Sequence, residues 1–133
     1  MNRKVLLVLK GVEIMEIIRY CFVKDCYVGI MRFKDDEEIT MTWEDDSKLS
    51  ELALTYKKYL NLDSTRMIKL FISERVIDER RPDRSLWLSM CGINNPNASD
   101  LEIFLNNHGV SINDYFWIDT VKSPDYWYSN LIE

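Results

Sequence analysis

Tyr27-Val-Gly-Ile-Met-Arg-Phe33, a charged break at Asp35-Asp-Glu-Glu38, and then Ile39-Thr-Met-Thr-Trp43 decide the fold. The second run alternates apolar and polar residues with the strict period of a half-buried strand. The first is rich in branched and aromatic residues, which fit a pleated surface. Four charged residues between them leave room for a loop but not for a crossover, so the two runs pair antiparallel. Toward the N-terminus, Glu13 to Val23 has the same branched and aromatic character, ends at a polar Lys24-Asp25 break, and follows a plausible turn at Gly11-Val12. Val5 to Leu9 is a further short apolar run. These segments predict an antiparallel meander of three or four strands.

Beyond Trp43 the period changes to that of helices. Asp46 or Ser47 is placed to cap a helix carrying Leu49, Leu52, Ala53, Tyr56 and Leu60 on one stripe. Asn61-Leu62-Asp63 interrupts it, and a second helix from Ser64 has Met67, Ile68, Leu70, Phe71 and Ile72 as its buried side. After a polar connector, Asp78-Glu-Arg-Arg-Pro82, Asp83 caps a short helix with Leu86, Trp87, Met90 and Cys91, closed by Gly92. Asn94-Asn-Pro-Asn97 is a turn cluster. Ser99 and Glu102 then form a capping box, in which the serine oxygen takes an orphan amide and the glutamate reaches back to the serine amide. Leu101, Phe104 and Leu105 follow at helical spacing, and Gly109 stands where a helix ends in a left-handed turn. Ile112 to Val121 reads as extended or tightly turned. Strands first and helices after make an α+β chain. The reading is one domain over 1–133: strands to about residue 45, about four short helices over 46–109, and an aromatic extended tail over 110–133 packed on the same core.

The 133 residues are enough to bury a core without covalent staples. Hydrophobic residues at 47% and charged residues at 29% are ordinary for a globular protein. The run Val5 to Leu9 is far short of the about 18 residues needed to cross a bilayer, and no cleavage signal follows it. A cytoplasmic protein with no membrane contact is expected. The three cysteines, Cys21, Cys26 and Cys91, have neither a CxxC nor a zinc spacing and read as small buried hydrophobes, with a Cys21–Cys26 bridge conceivable only in an oxidising compartment. No metal or other cofactor is expected.

Charge is segregated. Residues 35–51 hold eight acidic residues against Lys48, whereas residues 1–34 hold seven basic against three acidic. Carboxylates in such density repel nucleic-acid backbone and attract basic surfaces. Asp35, Asp36, Glu37, Glu38, Glu44, Asp45 and Asp46 fit a solvated hairpin tip and a helix start, where acids suit the macrodipole, and they are also the first candidates for partner binding. They lack the fixed offsets and central glycine of a calcium loop. Arg75, Arg80, Arg81 and Arg84 resemble an anion seat in composition, but Glu74, Asp78, Glu79 and Asp83 interleave with them and favour an ion-paired connector. His108, the sole histidine, suits the exposed carbonyls of a helix C-terminus better than acid–base work. Tyr115, Phe116, Trp117, Tyr126, Trp127 and Tyr128 form either a recognition surface or the closing layer of the core. Alternation puts Phe116 and Ile118 on one face and Tyr115 and Trp117 on the other. Tyr115, Trp117 and Trp127 complete the partner-binding candidates. No catalytic residue is assigned.

Arg75-Val-Ile-Asp-Glu-Arg-Arg81, Leu86-Trp-Leu88, Gly92-Ile93, Gly109-Val-Ser-Ile-Asn-Asp-Tyr-Phe-Trp-Ile118 and Trp127 resemble the segment just upstream of the kinase lobes in Firmicutes HipA-like proteins, and short stand-alone relatives of it. The similarity covers about residues 74–128 and departs where Asp78 replaces an expected proline. The chain has no Gly-rich loop, catalytic-loop aspartate or metal-binding motif of such kinases. The resemblance therefore implies a non-enzymatic accessory module, from a bacterium or a mobile element, that docks on a kinase-like toxin and regulates it. The alternative is a phage-type acidic inhibitor, anti-CRISPR-like, that mimics nucleic acid to block a nucleic-acid enzyme. A small enzyme using the acidic clusters is the least favoured reading. Both leading readings expect a protein partner with a basic surface and no direct binding of nucleic acid.

Overall fold

The computed structural model of the chain describes residues 4–9, 12–35, 38–76, 81–90, 92–95, 97–111 and 113–124, with side chains described from Glu16 onward except that of Asp35. The expected meander is present. Strands β1 (Lys4–Leu9), β2 (Val12–Val23), β3 (Cys26–Asp35) and β4 (Glu38–Trp43) lie antiparallel in chain order. Lys24, with φ of +52°, turns β2 into β3. Asp35 pairs with Glu38, so these two acids belong to the strands of the β3–β4 hairpin and not to its loop.

A fifth strand, β5 (Phe116–Asp119), also pairs with β2. β1 runs along Val12–Ile17 and β5 along Tyr20–Val23, end to end on one edge of β2, while β3 takes the other edge from Ile17 to Val23. Alternation along the tail had set Trp117 apart from Phe116 and Ile118, yet all of Phe116–Asp119 is buried. A strand covered on both faces has no wet side for alternation to report.

Among the described residues four helices follow β4: α1 (Glu51–Leu60), α2 (Thr65–Arg75), α3 (Arg84–Met90) and α4 (Asp100–Asn106). Serine hydroxyls cap three of them. Ser50 accepts from the Ala53 amide at 3.1 Å, Ser64 from Met67 at 3.2 Å and Ser99 from Glu102 at 3.1 Å. The first helix thus starts later than Asp46 or Ser47. Asp45 caps a single tight turn over Asp46–Lys48, and extended backbone at Leu49 separates it from α1. At the end of α4, His108 (φ +53°) and Gly109 (φ +62°) are both left-handed, and the Gly109 amide donates to the Phe104 carbonyl at 2.9 Å. That bond satisfies an orphan carbonyl of the last turn.

One sheet face carries the helices. Cys21, Met31, Phe33 and Ile39 meet Ile68, Phe71, Ile72 and Phe104, with Phe116 and Ile118 in the same cluster. Each such side chain fully buried contributes roughly 1.5–3 kcal/mol of transfer free energy. Leu88, Ile93, Ala98 and Ile103 form a second cluster. Leu70, Leu86 and Met90, expected inside, are 51%, 66% and 79% exposed. On α2 the turn that buries Ile68, Phe71 and Ile72 rotates Leu70 outward, and on α3 the inward position belongs to Leu88. On the opposite sheet face Phe22 stacks on Trp117 at 4.3 Å, Tyr27 meets Phe22 edge-on at 5.8 Å, and Lys122 lies 4.7 Å over the Tyr27 ring. Burial pushes the Tyr27 phenol up to about 12. Among the described residues no helix is long and apolar enough to cross a membrane.

Candidate partner-binding surface

β4 is the last strand of the sheet path, and among the described residues one of its edges has no strand beside it. Successive backbone groups of a strand point to alternate sides. Glu44 donates its amide to Val28 at 2.7 Å, across to β3, which sets Thr40 and Thr42 inward and Ile39, Met41 and Trp43 outward. At Ile39 the outward pair is already used. The Thr65 hydroxyl accepts from the Ile39 amide at 3.1 Å and donates to its carbonyl at 3.0 Å, so the first residue of α2 closes that end of the edge. No described residue bonds the outward amides and carbonyls of Met41 and Trp43. Both residues are half-buried and the intervening threonine is exposed.

The acidic candidates sit at the two ends of this strand. Asp35 and Glu38 flank its start, and Glu44, Asp45 and Asp46 follow its end. Asp36 and Glu37 lie outside the described residues. Three of these acids have lysine neighbours: Glu38 with Lys34 at 3.6 Å, Glu44 with Lys48 at 3.4 Å, and Asp46 with Lys57 at 2.6 Å. Exposed pairs of this kind are worth at most about 1 kcal/mol, and among the described residues acids still outnumber these lysines, with Asp45 the unmatched carboxylate after β4. The Asp45 carboxyl is held below its ordinary value by the Ser47 amide it accepts.

The aromatic candidates divide. Tyr115 is 40% exposed, with the Lys24 ammonium 4.6 Å over its ring and its amide donated to the Tyr56 hydroxyl at 3.0 Å. Trp117 is fully buried and its indole N–H donates to the Lys24 carbonyl at 2.6 Å. It belongs to the core, which removes it from any contact surface of the folded chain. Trp127 lies outside the described residues.

The arginines are not one seat. Arg81 pairs with its neighbour Asp83 at 2.8 Å, lowering that carboxyl as an ion-paired connector would. Arg84 donates to the Ala98 carbonyl at 3.2 Å, and Arg80 lies outside the described residues. Arg75 instead grips Asp114 with both prongs, donates Nε to the Gly109 carbonyl at 2.8 Å, and lies 4.7 Å over the Phe71 ring. His108 bonds Ile118 through backbone and ring and so ties the end of α4 to β5. Cys21 is buried, which raises its thiol well above the ordinary value, and neither it nor Cys26 is in a disulfide. Among the described residues no three His, Cys, Asp or Glu side chains are grouped to hold a metal ion. An open groove of about 270 Å³ lies between α2, α4 and the start of β4, with Ile39, Ile72 and Leu101 as its apolar lining and Lys69 and Asp100 also in its wall.

Two internal charged groups were not anticipated. Arg19 is 1% exposed on the core-facing parity of β2; burial lowers its pKa and nearby Asp119 counters that. Asp119 is itself buried, accepting from the Thr120 amide at 2.6 Å with Oδ1, while no described residue bonds Oδ2. The readable signal was an arginine at an inward position of β2 between apolar Ile17 and Cys21. Asp114 and Asp119 therefore contribute little to the acidic surface, which concentrates around β4. No family model, curated protein or solved structure matches the chain.

Proposed function

We propose that this chain is a non-enzymatic protein-binding module that docks on the basic surface of a partner protein and regulates or inhibits it. The observation that carries the reading is the placement of acidic residues at both ends of β4, at the side of the sheet that no other strand covers among the described residues. A strand of six residues spans about 20 Å, so the two clusters present negative charge over the width of a small interface. Charge so disposed speeds encounter with a basic face and discourages acidic competitors. The resemblance of residues 74–128 to the segment upstream of HipA-like kinase lobes makes a kinase-like toxin the first partner to test.

The test reverses Asp35, Asp36, Glu37 and Glu38 to lysine and measures association with a candidate kinase-like toxin at low and high salt. Slower association with a weaker salt dependence supports the reading. Unchanged affinity in both conditions removes this cluster from the interface.

A further inference from the structure

We infer that the outer edge of β4 accepts an extended basic peptide segment of the partner as an added strand. This rests on the acidic docking surface proposed above and specifies how it is used. The outward amide and carbonyl of Met41, and those of Trp43, meet no described donor or acceptor, whereas the equivalent pair on Ile39 is taken by Thr65. A peptide strand laid antiparallel against this edge exchanges both main-chain bonds with each of the two residues, about four in all. Such bonds supply affinity with little demand on sequence, and the flanking side chains then set the choice of partner.

Charge selects the occupant. A second copy of this chain is a poor one. In an antiparallel pairing the Glu38 end of one β4 meets the Glu44–Asp46 end of the other, and in a parallel pairing each acidic end meets its own kind. Either way carboxylates oppose carboxylates, which is how natural sheets keep open edges from self-associating. An extended segment with Lys or Arg on both sides of a short β-forming stretch meets the opposite sign at each end. Thr65 sets the limit of the site, because its hydroxyl leaves only Thr40 to Trp43 of the edge for pairing.

The probe is the synthetic peptide Lys-Lys-Thr-Val-Thr-Val-Thr-Lys-Lys. It is compared with the same peptide N-methylated at alternate residues, which keeps the charge and loses the donors of one edge, and with a glutamate-flanked version. Amide exchange followed by NMR is the site-specific readout. In the free protein Met41 and Trp43 should exchange faster than Thr40 and Thr42. The basic peptide should slow Met41 and Trp43 at least tenfold, the N-methylated peptide should bind at least tenfold more weakly, and the acidic one should not bind. Met41→Pro removes one outward donor without touching the β3 ladder, and should weaken the basic peptide similarly. If that variant fails to fold, the N-methylated comparison still decides. Equal binding of basic and N-methylated peptides, with no protection at Met41 and Trp43, overturns strand addition while leaving the acidic surface standing. Absence of binding by both overturns the two together. A concentration-dependent dimer that protects the same amides without peptide also overturns the proposal, by giving the edge to a second copy.

Discussion

Arg75 and Asp114 stand 39 residues apart in the chain and meet fork to carboxylate, with Nη1 on Oδ2 at 2.5 Å and Nη2 on Oδ1 at 2.8 Å. The guanidinium also serves the carbonyls of Gly109 and Phe116, and its side chain is 5% exposed. It therefore joins the end of α2, the turn after α4 and the start of β5 through one planar group. Lysine cannot reproduce that geometry, since its ammonium is a point charge without the fork.

Arg75→Ala should accordingly cost on the order of 3–5 kcal/mol, because Asp114 loses its cationic partner and the Gly109 and Phe116 carbonyls lose a donor. Arg75→Lys should recover only part of that. Urea denaturation gives the values, and a change below about 1 kcal/mol for the alanine variant would show that the fork is dispensable.

Trp117→Ala should destabilise the protein by about 3–5 kcal/mol, the range for removing a large buried aromatic. The stack on Phe22 and the bond to Lys24 are both lost with it. Tyr115→Ala, at an exposed position with a cation over its ring, should cost roughly 1 kcal/mol or less. Thermal melts of the two variants side by side test this, and equal losses would contradict the separation of the tail into a buried and an exposed residue.

Gly109→Ala should destabilise by about 1–3 kcal/mol. An added Cβ would come within 2.9 Å of the Phe104 ring and 3.2 Å of Ile118, at a φ of +62° that side chains rarely adopt. His108→Gly, at the preceding left-handed position, relieves backbone strain but gives up the ring contact with the Ile118 carbonyl. It should shift stability much less than Gly109→Ala in the same melts.

Alkaline pH should weaken the fold through Tyr27 and Cys21, whose acidities burial lowers. Both hold their protons longer when folded than when unfolded. Stability is therefore full below the ordinary thiol and phenol values, near 9 and 10, and falls as pH rises past them toward about 12 for Tyr27. Melting temperature measured from pH 8 to 11 should decline, and Tyr27→Phe with Cys21→Ala should flatten the decline. Iodoacetamide at pH 8 should label Cys26 before Cys21 in the native protein, as mapped by mass spectrometry.

The hairpin of β3 and β4 was legible because its pattern is local: a period of two in Ile39–Trp43 survives any arrangement of the rest. The helix start at Ser64 and the cap at Ser99 were legible for the same reason. Pairing of β5 with β2 was not, since extended aromatic sequence announces a strand without saying where it docks. Its position depends on contacts such as Trp117 with Lys24, 93 residues away. The acidic candidates near β4 could be read from charge alone, but charge alone does not show that Asp119 is buried and Asp114 drawn into the fold. For Asp114 the distant partner reveals it: Arg75, which grips it, lies inside the same stretch that carried the family resemblance.

β1 and β5 lie end to end along β2, and this sets an order of events during synthesis. A nascent chain can close the β1 to β4 meander as soon as residue 43 has left the ribosome. The second half of the β2 edge then stays bare until β5 is made. For that interval Phe22 lacks its stacking partner and an apolar ribbon is open to chaperones or to other nascent chains. Truncation before residue 116 should accordingly yield a product that is captured or degraded, whereas extension through residue 119 supplies the missing strand.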